Sequence, residues 1–386
     1  MDYINLLGSS GWPDGFWPTL IKLFDFIGSY ALIIIVFTIC LKLVLSPLDF
    51  LQRYYTNKTT RAQAKLAPQL EKLKRQYGNN QNLLYQKQNE LYQKNGVSNR
   101  GSCIFMLVYL ALTLVIFITL FQSMQYIASF KIKNQYTEMQ TAYYAEYNEE
   151  YIHSYLGVDI EGNELKVYTD EELQDAITAK IADLKAQDAS LTDDQAQAII
   201  DEKKNEVSST SQDLVVDKYE EVKDSFLWIN NIWVADKPTQ KAVLSYDSYI
   251  ASTQHKEVTK EEYNAVMGKL LQEDSKYNVA NGYYILSLIV IAVSLLSQYI
   301  TRKTSQPKGK NGEQIATPGA GKVMMLLMPA IMVMFTLNSS SIFSIYIITN
   351  SLMSTLLVPV IMKICNSIEE KIEQRQYQKT KVDYRR

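Results

Sequence analysis

Five blocks of nearly uncharged apolar sequence constrain what this chain can fold into. The first, Tyr30 to Leu48, reads YALIIIVFTICLKLVLSPL. At about 1.5 Å per residue, its roughly 19 residues nearly cross a hydrocarbon core of about 30 Å. The others run from about Cys103 to Phe130, about Tyr283 to Ile300, Val323 to Leu337, and Ile342 to Met362. Whole-chain averages, with 47% hydrophobic residues and a mean hydropathy of −0.14, resemble those of a soluble protein. They do so because an acidic middle section offsets the blocks. The expected fold class is an all-α integral membrane protein with five transmembrane helices.

Charge fixes an expected orientation. Residues 51–100 carry 10 Lys and Arg against 2 Asp and Glu, residues 301–322 carry 5 against 1, and residues 363–386 carry 7 against 4. Residues 131–280 carry 15 against 30. With five spans the three basic segments share one side, which the positive-inside rule makes cytoplasmic. The expected order is an interfacial N-terminal segment (1–29), a first span (30–50), a cytoplasmic helical hairpin (51–101), a second span (102–130) and an acidic extracytoplasmic helical insertion (131–280). A third span (281–300), a cytoplasmic loop (301–322), a fourth span (323–337), a fifth span (342–362) and a basic cytoplasmic tail (363–386) complete it. The N-terminus lies outside on this reading, and the C-terminus in the cytoplasm.

Local signals add detail. Pro47 marks the expected end of the first span, and Gly78-Asn79-Asn80 the turn of the hairpin. Leu66, Leu70 and Leu73 give the first arm an apolar face, with a kink or restart expected at Pro68. Thr169 with Glu172 and Thr259 with Glu262 have capping-box spacing, and a small helical domain is expected between about Thr137 and Lys223. Only the tetrad Asn338 to Ser341 separates the last two blocks, which predicts a tight antiparallel hairpin, and Met328-Pro329 predicts a kink. Cys40, Cys103 and Cys365 lie in or beside apolar blocks, so no disulfide framework serves the polar part. His153 and His255 stand far apart, without ligand spacing.

Lys42 reads as the one charge inside a span, at a cost of about 2.5–3.5 kcal/mol near a helix centre. Thr38, Lys42 and Ser46 follow at i+4 and line one stripe. Polar residues recur in other spans: Tyr109 and Thr113 in the second, Ser294 and Gln298 in the third, Tyr346, Thr349 and Asn350 in the fifth. Singly such residues serve as helix-packing glue; with a lysine they point to a hydrated cavity in the bundle. No catalytic set, phosphate loop or zinc spacing is present, and a Ser46/Lys42 dyad rests on a single i+4 pair. The chain is therefore expected not to be an enzyme, to need no cofactor or metal, and to bind no specific nucleic acid. An absence of intramembrane Asp or Glu argues against an ion-coupled transporter.

Several stretches resemble the YidC/Oxa family of membrane protein insertases in order and spacing. They are LKLVLSPL in the first span, LAPQLEKLKRQYG and LYQKNGVS in the hairpin, FLWINNIWVADKP and NGYYILSLIV around the start of the third span, LMPAIMVMF in the fourth and IYIITNSL in the fifth. The resemblance implies five helices around a hydrophilic groove open to cytoplasm and lipid, in a bacterial plasma membrane. It implies a basic groove residue at Lys42, where most members have arginine. Phe105, Tyr109 and Ala111 stand where Pro, Gln and Pro are common. It also implies nascent membrane proteins and the lipid bilayer as partners, with the ribosome, targeting factors and the Sec translocon as further candidates. Two other readings compete: a scaffold or assembly chaperone acting through the acidic domain, and a transporter or channel.

Overall fold

The computed structural model describes residues 12–95, 99–305 and 330–383. Its helices are α1 (Phe16–Lys22), α2 (Tyr30–Tyr77), α3 (Gln81–Lys94), α4 (Asn99–Tyr147), α5 (Asp170–Gln187), α6 (Asp193–Val222), α7 (Tyr246–Thr253), α8 (Lys260–Leu271), α9 (Ile285–Ser305), α10 (described over 330–338) and α11 (Ser341–Asp383). Among the described residues there is no β-strand, only two isolated bridges. The chain is an all-α membrane protein. Three stretches, Tyr30–Arg61, Ile104–Tyr155 and Ser341–Ile372, are long and apolar enough to cross a bilayer, and a shorter apolar one is Ile285–Thr301. Much of the expected fourth span, with its kink at Met328-Pro329, falls outside the described residues, as does most of the 301–322 loop.

Two compact units form. One, here the apolar unit, comprises Leu20–Met124 and Ile285–Arg386; the other, the polar unit, comprises Met1–Thr19 and Gln125–Tyr284.

In the apolar unit α11 packs against both α2 and α9. The helix expected to stop at Pro47 does not stop there. Helix α2 runs unbroken from Tyr30 to Tyr77 with Pro47 and Pro68 inside it. A proline in a helix leaves the carbonyl four residues earlier without its N–H donor. At Pro47 that carbonyl belongs to Leu43, and the Ser46 hydroxyl donates to it at 2.8 Å. A side chain thus supplies the missing bond, which is how apolar helices tolerate proline. Helix α2 does end at the expected Gly78 turn, where the Asn80 side chain accepts from Leu83 N–H and starts α3. Leu66 is buried and Leu70 and Leu73 half-buried. Further along, Asn57 and Arg61 both donate to Asn366 Oδ1, at 3.1 and 2.9 Å, tying α2 to α11. Phe117 and Phe121 of α4 pack edge-on and tilted against Phe335 of α10 and Phe343 of α11, with ring centroids 4.8–5.9 Å apart. α10 stops at residue 338 and α11 restarts at Ser341.

The polar unit has a core of its own. Helix α4 continues past residue 130 to Tyr147 and closes on a π-helical turn, Asn148–Tyr155. Tyr143, Tyr147, Tyr151 and Tyr155, at i+4, ladder along it with successive centroids 5.3–6.0 Å apart. Tyr151, Ile152, Leu156, Ile160, Leu173, Ile200 and Val207 form one buried cluster. Both Thr169–Glu172 and Thr192–Gln195 make complete capping boxes. Thr259 accepts from Glu262 N–H, but the Glu262 carboxylate accepts from Gln140, an α4 residue. The unit runs on to Tyr284, so α7 and α8, beyond Lys223, belong to it as well. Fully buried Asn281 donates to the carbonyls of Asn231, Val234 and Ala235 and accepts from Asn231 N–H, joining segments 50 residues apart.

Candidate functional site

Because α2 continues past Pro47, the polar stripe of Thr38, Lys42 and Ser46 continues with it. Seven residues after Lys42, two helical turns along the same face, comes Asp49. The Lys42 ammonium lies 2.8 Å from Asp49 Oδ2. Asp49's other oxygen, Oδ1, accepts from the Tyr109 hydroxyl of α4 at 2.5 Å. Asp49 is buried, and the Lys42 side chain is only 14% exposed.

This arrangement corrects the sequence reading twice. Lys42 is not the only charge in its span, since Asp49 lies within the same apolar stretch Tyr30–Arg61. Nor is the stretch free of carboxylates. A buried lone ammonium would be costly; a pair with each oxygen of the carboxylate occupied is the arrangement that low-dielectric surroundings tolerate. The Ser46 hydroxyl is engaged with Leu43 and Lys42 with Asp49, so the two do not form a nucleophile and base.

Several of the remaining expected groove residues bond within their own helices. Thr38 is buried and donates to Ile34 carbonyl at 2.6 Å. Thr113, the next turn of α4 after Tyr109, donates to the Tyr109 and Leu110 carbonyls, and Thr349 donates to Ile345 carbonyl. Such back-bonding satisfies a hydroxyl within its own helix. Ser294 and Tyr346 are buried and Asn350 is half-buried. Gln298 Oε1 is buried without a hydrogen-bond partner among the described residues. Of the ten expected residues, the structure joins Lys42 and Tyr109, and it does so through Asp49, which sequence reasoning missed. A signal was available: Lys42 and Asp49 at i+7, with a serine immediately before the intervening proline.

Helix α4 carries the third member of the site while staying largely uncovered. Only 6% of its most apolar stretch is buried, against 44% for α11. Tyr109, Thr113, Phe117 and Phe121 fall on successive turns, so its inner stripe passes from the polar site to the aromatic cluster.

A buried ion pair on a long apolar helix, beside a second apolar helix left mostly uncovered, defines a helical membrane protein with a polar site inside its apolar unit. The family model described as 60Kd inner membrane protein matches residues 22–192, a stretch that includes Lys42, Asp49 and Tyr109. The membrane protein insertase YidC of Fusobacterium nucleatum subsp. nucleatum is 35% identical over 92 residues, which is 24% of this chain and 43% of that protein. The membrane protein insertase YidC of Amoebophilus asiaticus is 33% identical over 115 residues, 28% of this chain and 18% of that protein. The matched segments thus span less than half of these curated relatives. No solved structure matches the chain. Over residues 22–192 the chain is similar to the 60Kd inner membrane protein family, and over shorter stretches to the two insertases.

Proposed function

We propose that this chain is a membrane protein insertase of the bacterial inner membrane. It moves transmembrane segments of nascent proteins from the cytoplasm into lipid without catalysing a covalent step. The observation that carries the reading is the Lys42–Asp49–Tyr109 constellation within an apolar helical unit, in a stretch that matches the 60Kd inner membrane protein family. Five spans enclose a hydrophilic groove on this reading, with the N-terminus and the acidic polar unit outside and the basic hairpin and tail in the cytoplasm. Lys42, with Thr38, Ser46, Tyr109, Thr113, Ser294, Gln298, Tyr346, Thr349 and Asn350 around it, makes the groove hydrated. That hydration shortens the apolar path a substrate's outer tail must cross. Lys42 receives an acidic residue of that tail while the substrate helix slides into lipid; at about 4 Å and an intermediate dielectric the attraction is a few kcal/mol. The cytoplasmic hairpin and tail meet the substrate, the ribosome, targeting factors or the Sec translocon.

Complementation of an insertase-depleted strain tests the charge. Lys42→Ala and Lys42→Glu should both fail or grow poorly, and full growth with both refutes charge capture. A second reading, a scaffold acting through the acidic part, draws on the separate core of the polar unit. Deleting residues 137–223 would then abolish function while Lys42 substitutions would not.

A further inference from the structure

We propose that Asp49 is a built-in competitor for Lys42, so that a substrate carboxylate gains the lysine only by exchanging places with Asp49. This rests on the reading above that Lys42 receives acidic substrate residues, and it adds a gate to that step.

The geometry supports exchange and not simple capture. Lys42 contacts one oxygen of Asp49, at 2.8 Å, while Tyr109 holds the other at 2.5 Å. Removing the ammonium therefore leaves Asp49 still anchored by a hydroxyl donor from α4. Lys42 itself is a point charge on a flexible stem with three rotatable donors, suited to passing from one carboxylate to another.

Two consequences follow from charge balance. At rest the Lys42–Asp49 pair is neutral, so it offers little net attraction to an anion. A neutral polar group cannot displace Asp49, because the ammonium would trade a charged acceptor for an uncharged one. The pair thus discriminates for carboxylates, and it also ejects them: once the substrate moves on, Asp49 reclaims the lysine. A free ammonium would bind acidic segments more tightly and release them more slowly.

The test is binding to the full-length protein in detergent micelles. The probes are an apolar helical peptide carrying one Asp near its end and its Asn counterpart. In Asp49→Asn, the ratio of Asp-peptide to Asn-peptide affinity should rise by about tenfold over the parent, the lower end of what close charge pairs couple. Asp49→Glu should return the ratio toward the parent, and Lys42→Met should remove the preference in either background. Circular dichroism melts of each variant identify any that fail to fold, and Asp49→Gln, for which the same rise is expected and whose unchanged ratio equally overturns the proposal, carries the comparison if Asp49→Asn does. An unchanged ratio in folded Asp49→Asn overturns the proposal, as does an unchanged ratio in Lys42→Met. Liposome insertion by the parent is scored separately. Its failure with the binding ratios as expected would overturn the insertase reading and leave the exchange at Lys42 standing.

Discussion

Replacing Lys42 by methionine keeps the length and apolar stem of the side chain but leaves the Asp49 carboxylate buried with a hydroxyl as its only remaining partner of the two. Two unit charges 2.8 Å apart attract by about 6 kcal/mol at an effective dielectric near 20. Desolvation of both ions offsets most of that, so the intact pair is worth little relative to two apolar side chains of similar size. Breaking it from one side is different, because the stranded charge keeps its desolvation cost: about 3–5 kcal/mol. Lys42→Met and Asp49→Leu should each destabilise the apolar unit by that amount, whereas the double variant should lie within about 1 kcal/mol of the parent. Cys365 is fully buried in this unit and free, so its thiol labelling during denaturant titration, in a Cys40→Ser/Cys103→Ser background, reports the unit specifically. Single variants that each cost less than about 1 kcal/mol and add in the double would show that the two residues do not act as a pair.

Ser46→Ala removes the donor to the Leu43 carbonyl, which lies on the exposed side of an apolar helix, and should cost about 1–3 kcal/mol where lipid and not water surrounds it. In a Pro47→Ala background, where an N–H becomes available to Leu43, the same substitution should cost almost nothing, as unfolding titrations would show. In the polar unit, hydrogen bonds from Lys223, Tyr277 and Lys276 hold the Glu220 carboxyl down at about 2 from an ordinary 4.5. Its stabilising contribution is therefore complete above about pH 4.5 and lost as pH falls through about 2. Carboxyl NMR should place its titration there, and Glu220→Gln should flatten the acid side of the melting-temperature profile. Asn281→Ala strips four hydrogen bonds from a fully buried site and should cost more than about 3 kcal/mol in thermal unfolding.

The all-α membrane class was readable from apolar block lengths alone, and the end of α2 from Gly78-Asn79-Asn80. Capping chemistry gave the start of α5, since Thr169 and Glu172 meet within one turn. The site was half readable. Lys42 stood out as a charge in an apolar run, but taking Pro47 as a helix end cut the stripe before Asp49. Proline's penalty is local and strong, and what offsets it is a single hydroxyl, from Ser46. Tyr109's partner lies 60 residues away along the chain, and Asn231 and Asn281 are 50 apart. Such pairings depend on how helices and loops pack, which no local periodicity encodes. The tyrosine ladder from Tyr143 to Tyr155 is the opposite case, a plain i+4 repeat readable from sequence.

In the proposed function this chain by itself moves an apolar helix into lipid, with Lys42 receiving acidity in the substrate's outer tail. Purified protein in liposomes, given a short-tailed single-span substrate with and without acidic tail residues, tests it directly through protease protection. Insertion by the parent protein should exceed that into empty liposomes, be favoured by an acidic tail and lose that preference in Lys42→Met. Equal protection with and without the protein would contradict it.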